Sequence, residues 1–126
     1  MSDVLATFHV PYLARSTNHY QRHRYDYRKD KVQMGKAMQT VIKPVDEPLF
    51  CGRVTITIQP MCGPKQRRYD TSNYSMAYKM IEDWLVTFGW LRNDSIGDVG
   101  PMCINPAVRV KTREEQGHQV SIRGGK

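Results

Sequence analysis

The sequence predicts a single α+β domain in which a mixed β-sheet carries two main helices on one face. Segments with period-two alternation of apolar residues and segments with helical spacing follow one another in the order β-α-β-α-β-β. The chain has 126 residues, a usual length for one domain, and it contains no internal repeat or low-complexity segment. We therefore expect one domain over residues 1–126.

The first part of the chain is predicted to form a strand, a loop and a helix. The segment ATFHVPYL, residues 6–13, is typical of a strand that Pro11 stops. Residues 16–31, STNHYQRHRYDYRKDK, are basic and tyrosine-rich and are predicted to form a loop. In residues 32–43, VQMGKAMQTVIK, the apolar residues step by three and four, which predicts a helix closed by the two prolines that follow.

A second strand and a second helix follow. In RVTITIQP, residues 53–60, apolar and polar residues alternate, as in a half-buried strand. From residue 72 to residue 88 the apolar side chains again step by three and four, which predicts a strongly amphipathic helix. Gly89 is the residue expected to end it.

The last part of the chain is predicted to form two strands. They are CINPAVRVK, residues 103–111, and HQVSIR, residues 118–123, joined by a polar turn around Gly117. Pro106 indicates an edge position or a bulge in the first of them.

The charge of the chain is unevenly distributed. The formal net charge is +7, which favours a polyanion as partner. Residues 11–43 carry eight lysines and arginines against two aspartates, whereas residues 70–98 carry five acidic residues against two basic ones. A metal-dependent nuclease needs both kinds of region, cations for phosphate and carboxylates for metal. The alternative is a basic binding domain whose acidic helix is merely solvated.

Cysteine usage and hydropathy indicate a soluble intracellular protein. The three cysteines are an odd number without C-x-x-C spacing, which argues against a disulfide framework or a zinc site and for a reducing compartment. No signal-peptide pattern and no apolar stretch of membrane-spanning length is present, so no membrane partner is expected. The sequence also lacks a glycine-rich phosphate loop, and we expect no organic cofactor.

Two aspartates flank the second predicted helix. A helix of about seventeen residues spans roughly 25 Å, so Asp70 and Asp94 would meet only if residues 89–94 fold back along it. Each also has a structural explanation. Asp70 suits a helix N-cap, and Asp94 suits a turn at Asn93-Asp94-Ser95.

Each pair of charged residues on this helix or just before it has two interpretations, one structural and one functional. Lys79 and Asp83 lie four positions apart and could form a surface ion pair worth about 0.3–0.5 kcal/mol, or contact a phosphate group. Arg67 and Arg68 precede Asp70 directly and could hold a phosphate bidentately, or lie in a solvated loop.

The segment 16–31 interleaves aromatic and basic residues. This mixture suits contact with a nucleic-acid backbone and with exposed bases, although a simple basic loop would have the same composition. Its candidate contact residues are Tyr20, Arg22, Arg24, Arg28 and Lys29.

Taken together, these segments resemble the RusA-type Holliday-junction resolvases of bacteria and their phages. The resemblance covers about residues 7–123. Near the N-terminus it rests on a strand ending at proline and on S-x-N-x-Y-x-R-H at residues 16–23. Further along the chain it rests on the ordered set Arg67-Arg68-Tyr69-Asp70, Asn73, Lys79, Asp83, Trp90-Leu91 and Asn93-Asp94.

The resemblance implies a Mg²⁺-dependent endodeoxyribonuclease, with Mn²⁺ as a possible substitute, that resolves four-way or other branched DNA. It implies a homodimer in the cytoplasm of a bacterium or a phage-infected cell. The implied catalytic residues are Asp70, Lys79 and Asp94. Metal ligation is implied for Asp70 and Asp94, with Asp83 matching a further acidic position. The implied DNA-binding residues are Asn18, Tyr20, Arg22, Arg24, Arg28, Lys29, Arg67, Arg68 and Asn73.

The chain departs from the family pattern at two positions. Ser72 stands where the family has a second aspartate, and Lys79 lies three residues later than the common lysine position. The loss of a carboxylate leaves open a non-catalytic branched-DNA-binding protein of the same fold. A third alternative, from the charge and the Tyr/Arg segment, is an RNA-binding or ribosome-associated domain.

Overall fold

A computed structural model of the chain describes residues 4–50, 52–92 and 97–124. The five strands are β1 (Val4–Val10), β2 (Val54–Cys62), β3 (Cys103–Ile104), β4 (Val108–Arg109) and β5 (Gly117–Gly124). The α-helices are α1 (Thr17–Arg22), α2 (Arg24–Gln39) and α3 (Ser75–Thr87), with 3-10 turns at Thr71–Tyr74 and Arg113–Glu115. The predicted α+β domain with a mixed sheet and two main helices, α2 and α3, is confirmed.

The sheet is built around β5. This strand lies between β1 and β2 and is antiparallel to both. On its other side β2 pairs in parallel with the short strands β3 and β4. Every second residue of β2 is buried, as its alternating sequence predicts.

The prediction of one continuous strand at residues 103–111 is wrong, because this segment forms the two short strands β3 and β4. Both short strands pair with β2, and β5 pairs with β1 and β2. Pro106 lies between β3 and β4, so this segment offers no continuous ladder, whereas β2 offers β5 a partner from Val54 to Met61. Gly117 begins β5 with a φ of 148°, and a Cβ there would collide with the Val10 carbonyl oxygen.

The predicted loop at residues 16–31 is also wrong, because α1 and the first half of α2 occupy it. The Ser16 hydroxyl accepts a hydrogen bond from the His19 amide at 3.1 Å and caps α1. Tyr27 and Met34 are seven residues apart, two helical turns, so the buried face of α2 extends back from its methionines to the tyrosine. The helix accordingly starts at Arg24 and ends at Gln39 rather than spanning 32–43.

The second predicted helix is nearly correct. Its first turn is a 3-10 turn, α3 follows to Thr87, and Gly89 adopts a φ of 83° beyond its end, as predicted. Helix α3 packs against α2 at Gly35, where the Trp84 ring rests on the glycine backbone and the Trp84 indole donates to the Lys31 carbonyl at 2.7 Å. Inward side chains of α2 and α3 and of β1, β2 and β5 form one core.

Two further predictions concern thiols and membranes. Cys62 and Cys103 are free thiols, and Cys51 lies outside the described residues. Among the helices of the described ranges, none combines the length and apolar character needed to cross a bilayer.

Candidate nucleic-acid interface

Residues from two distant segments line one open depression of about 380 Å³, which we call the polar depression. Helix α1 and its flanks form one side, and the segment leading into the Thr71–Tyr74 turn forms the other. Its lining residues are Ser16, Asn18, His19, Arg22, His23, Arg67, Tyr69 and Asn73. Four of the predicted DNA-binding residues, Asn18, Arg22, Arg67 and Asn73, therefore meet at one place.

Buried and half-buried carboxylates fix the α1 side of this depression. The Tyr20 hydroxyl donates to Asp30 at 2.7 Å and accepts from the Arg15 amide at 2.9 Å. Asp26 lies 2.8 Å from His19 Nε2 and 2.9 Å from Arg15 Nη1. The hydrogen bond from His19 and the charge of Arg15 lower the pKa of Asp26, so this carboxylate stays ionised and orients the His19 ring.

A stacked arginine dominates the opposite side. The Arg67 guanidinium lies over the Tyr69 ring, 5.6 Å from its centroid. The buried Tyr74 hydroxyl accepts from the Tyr69 amide at 3.1 Å and so fixes the backbone beneath the ring. Cation–π contact orients a guanidinium without consuming its N–H donors, which leaves Arg67 able to contact a phosphate.

Asp70 lines a neighbouring depression that shares Tyr69 with the polar depression. The neighbouring depression encloses about 560 Å³ and is also lined by Arg68. Asp70 occupies the N-cap position of the 3-10 turn, but its side chain makes no capping hydrogen bond; only its carbonyl accepts, from the Asn73 amide at 2.9 Å. The carboxylate is exposed, and the N-cap role predicted as an alternative is not performed by the side chain.

Lys79 and Asp83 belong to a larger charge cluster that joins α2 to α3. Lys79 Nζ lies 3.1 Å from Glu82 Oε1 and 3.2 Å from Asp83 Oδ1. Lys31 Nζ lies 2.8 Å from the other Asp83 oxygen. The predicted ion pair of Lys79 and Asp83 is present, and the sequence interpretation missed its partners Lys31 and the buried Glu82.

The described carboxylates do not gather into a metal site. Within residues 4–50, 52–92 and 97–124, no group of three His, Cys, Asp or Glu side chains could hold a metal ion. Asp83 is neutralised by two ammonium groups and lies about 12 Å along α3 from Ser75. Asp94, the predicted partner of Asp70, lies with Asn93 outside the described residues. The exposed Asp70 nonetheless fits the common arrangement in which Mg²⁺ is held by one or two carboxylates and by substrate phosphates.

A separate concave site, the Tyr27 pocket, lies on the other side of α1 and encloses about 440 Å³. It is lined by Tyr20, Gln21, Arg24, Tyr27, Arg28 and Met76. Tyr20 is only 1% exposed, so its ring supports this pocket and does not extend into solvent as the loop prediction assumed. Lys29 lines neither site and is exposed on α2.

Sequence interpretation missed the roles of Gln21 and Met76 in the Tyr27 pocket. Residues 21, 24 and 28 step by three and four, a helical spacing that would have placed these side chains together. Met76 had no comparable signal, because its place depends on how α3 packs against α1 and α2.

No protein-family model matches the chain, and no curated protein matches it significantly. The resemblance to RusA-type resolvases therefore rests on the motifs described above.

Proposed function

We propose that this chain is a Mg²⁺-dependent, structure-specific endodeoxyribonuclease that acts on four-way junctions or other branched DNA. The observation that best supports the proposal is the polar depression, in which residues 18–23 meet residues 67–73 beside the exposed carboxylate of Asp70. Metal-dependent cleavage of a phosphodiester needs cationic and neutral donors for the phosphate and carboxylates for the metal, and this surface offers both.

The side chains of the polar depression and of the depression beside it are suited to holding the DNA backbone. Arg22, Arg67 and Arg68 present guanidinium groups that match phosphate oxygens bidentately, and Asn18 and Asn73 offer neutral donors. These contacts carry no base information, so they fix the position of the backbone relative to Asp70.

In this proposal Asp70, with Asp94, holds the metal ion, and Lys79 stabilises negative charge on the phosphate group. A bound Mg²⁺ supplies Lewis-acid polarisation of the phosphodiester and activation of water. Glu82 and Asp83 hold the Lys79 ammonium in place, so we assign Asp83 a positioning role in place of the metal ligation first expected. A homodimer suits the task, because two symmetric sites can meet two equivalent strands of a junction.

Cleavage of a synthetic four-way junction tests the proposal. With Mg²⁺ the wild-type protein should give paired, symmetric nicks. Asp70→Asn should lower the cleavage rate by at least about a hundredfold, because the neutral amide is a poor Mg²⁺ ligand, while junction binding in EDTA is retained. Asp46→Asn, an exposed acid between α2 and β2, is the matched control and should cleave as the wild type does.

The non-catalytic alternative is favoured by Ser72. This residue is exposed on the 3-10 turn two positions after Asp70, and the described residues contain no three-ligand group. If the wild type binds junctions but does not nick them with Mg²⁺ or Mn²⁺, and Ser72→Asp creates nicking, the protein is a branched-DNA-binding protein and the nuclease proposal fails. Preference for a matched RNA hairpin over a junction in competition would favour the RNA-binding alternative.

A further inference from the structure

We propose that the Tyr27 pocket binds one unpaired nucleobase of DNA together with its adjoining phosphate. The inference rests on the DNA-binding part of the proposed function and not on cleavage. It assigns a substrate feature, an unstacked base at or near a branch, to a site distinct from the polar depression.

The floor and wall of the pocket offer a surface for a flat aromatic ligand. The half-buried Tyr27 ring packs edge-on against Tyr20, with ring centroids 5.5 Å apart, so its orientation is fixed before any ligand binds. Met76 adds a half-buried thioether, a polarisable group that packs well against rings. Stacking of a base on an aromatic side chain strengthens binding by roughly five- to 150-fold.

The rim of the pocket supplies charge complementarity to a phosphate. Arg24 and Arg28 are four residues apart and lie on one face of α2. Both are exposed, and neither forms an ion pair with any residue in the described part of the chain. Gln21, at the same rim, can donate to and accept from a base edge. An acidic peptide would use the guanidinium groups and leave the ring and thioether surface unused, so a nucleotide fits better.

The location of the pocket links it to Lys79, one of the proposed catalytic residues. Met76 precedes Lys79 by about one turn of α3. Burial raises the pKa of Tyr27, and the nearby charges of Lys31, Asp83 and Lys79 have smaller effects on it. The polar depression lies on the opposite side of α1, and an α-helix is about 10 Å in diameter. This distance corresponds to about three nucleotides of a stacked strand. One DNA strand could therefore contact both sites.

Methyl NMR with ¹³C-labelled methionine tests occupancy directly. The chain has seven methionines, and Met76→Leu assigns the relevant signal. On addition of millimolar dAMP the Met76 methyl signal should move upfield through the ring current of the base. Deoxyribose 5-phosphate, which carries the phosphate alone, should leave it nearly unchanged. A Met76 signal that responds equally to both compounds, or to neither, overturns the proposal.

Binding of a short oligothymidylate and of its abasic counterpart separates base recognition from charge attraction. The wild type should prefer the base-containing strand by about tenfold. Tyr27→Leu, which keeps an apolar side chain, should reduce this preference to below about threefold with little change in affinity for the abasic strand. The exposed double variant Arg24→Gln/Arg28→Gln should weaken binding of both strands. The charge-matched control Lys36→Gln/Arg123→Gln, outside the pocket, should keep the preference.

Two results would overturn the inference: equal affinity of the wild type for the two strands, or an undiminished preference in Tyr27→Leu. Because Arg24 and Arg28 are exposed, their double variant still tests the pocket if Tyr27→Leu does not fold. In that case, if Arg24→Gln/Arg28→Gln binds both strands as tightly as the wild type does, the proposal is contradicted. Failure of the nuclease proposal can be distinguished from failure of this one. If the protein never cleaves junctions but keeps the tenfold base preference, the pocket proposal stands and only the catalytic proposal fails.

Discussion

His118 is a fully buried histidine whose two ring nitrogens have different surroundings. Nε2 accepts a hydrogen bond from the Ala14 amide at 3.2 Å, which assigns the ring proton to Nδ1. Nδ1 has no hydrogen-bond partner among the described atoms. A second proton would place an unsolvated charge in the core, and burial, with a smaller effect of His9, lowers the pKa of His118 to about 3.

The depressed pKa of His118 makes the fold sensitive to acid. Well above pH 6.5 the ring is neutral in the folded and the unfolded chain, so it causes no pH dependence there. Between pH 6.5 and about 3 the unfolded chain binds a proton that the folded chain does not. The free energy of unfolding should therefore fall by up to about 1.4 kcal/mol per pH unit as the pH decreases through this range.

Urea unfolding at pH 7 and pH 5 measures this effect. The loss of stability between the two should be about 2 kcal/mol larger for the wild type than for His118→Gln, which keeps an acceptor for the Ala14 amide but does not titrate. Carboxylates contribute equally to both proteins, so only the difference is informative. Equal pH dependence in the two proteins would mean that His118 is protonated in the folded state.

At the scale of elements, the contact between α2 and α3 depends on a missing side chain. Alanine is normally favoured over glycine in a helix by about 1 kcal/mol. At Gly35, however, an added Cβ collides with the Trp84 ring, whose indole is already held by the Lys31 carbonyl. Overpacking of this kind costs about 1–3 kcal/mol.

We therefore expect Gly35→Ala to destabilise the protein by up to about 2 kcal/mol in chemical denaturation, against its helix propensity. Gln33→Ala, at an exposed position of the same helix, should change stability by less than about 0.5 kcal/mol. Adding Trp84→Leu should make Gly35→Ala much less harmful, because the collision disappears. A stabilising Gly35→Ala substitution would show that the two helices are less closely packed.

The elements that the sequence predicted well are those whose pattern is local. Alternation along β2 and three-four spacing along α3 each report one buried face, and Gly89 marks a backbone turn that few other residues adopt. The helical segment 17–31 was missed because its exposed basic residues outnumber the few side chains that reach the core. The pairing of β5 was missed because strand neighbours are chosen across the whole chain.

At the scale of the whole molecule, the net charge of +7 should make DNA binding depend strongly on salt. Each phosphate contact should reduce affinity about threefold between roughly 50 and 200 mM NaCl, because counterions are released on binding. Arg67→Gln should lower the slope of log affinity against log salt by about one. Arg123→Gln, on β5, should leave the slope unchanged. Equal slopes for the wild type and Arg67→Gln would remove Arg67 from the interface.

The candidate site was only partly predictable from the sequence, because parts of it depend on how distant segments pack together. Asn18, Arg22, Arg67 and Asn73 are four of the nine DNA-binding residues that the resemblance implies, and folding brings these four together. The sequence alone could not assign the Tyr27 pocket, because that site exists only where α3 packs against α1 and α2. Nor could it indicate that Asp83 is shared between Lys31 and Lys79.

The central position of β5 in the sheet also determines when the sheet can form during synthesis. Val10 of β1 pairs with His118, and Val54 of β2 pairs with Gly124. During synthesis β1 stays without its partner for more than a hundred residues, and β2 lacks β5 for up to about seventy residues. Such distant pairing slows folding and leaves strand edges exposed in the nascent chain. Ribosome-bound fragments that stop before residue 117 should consequently depend on chaperones until β5 is available.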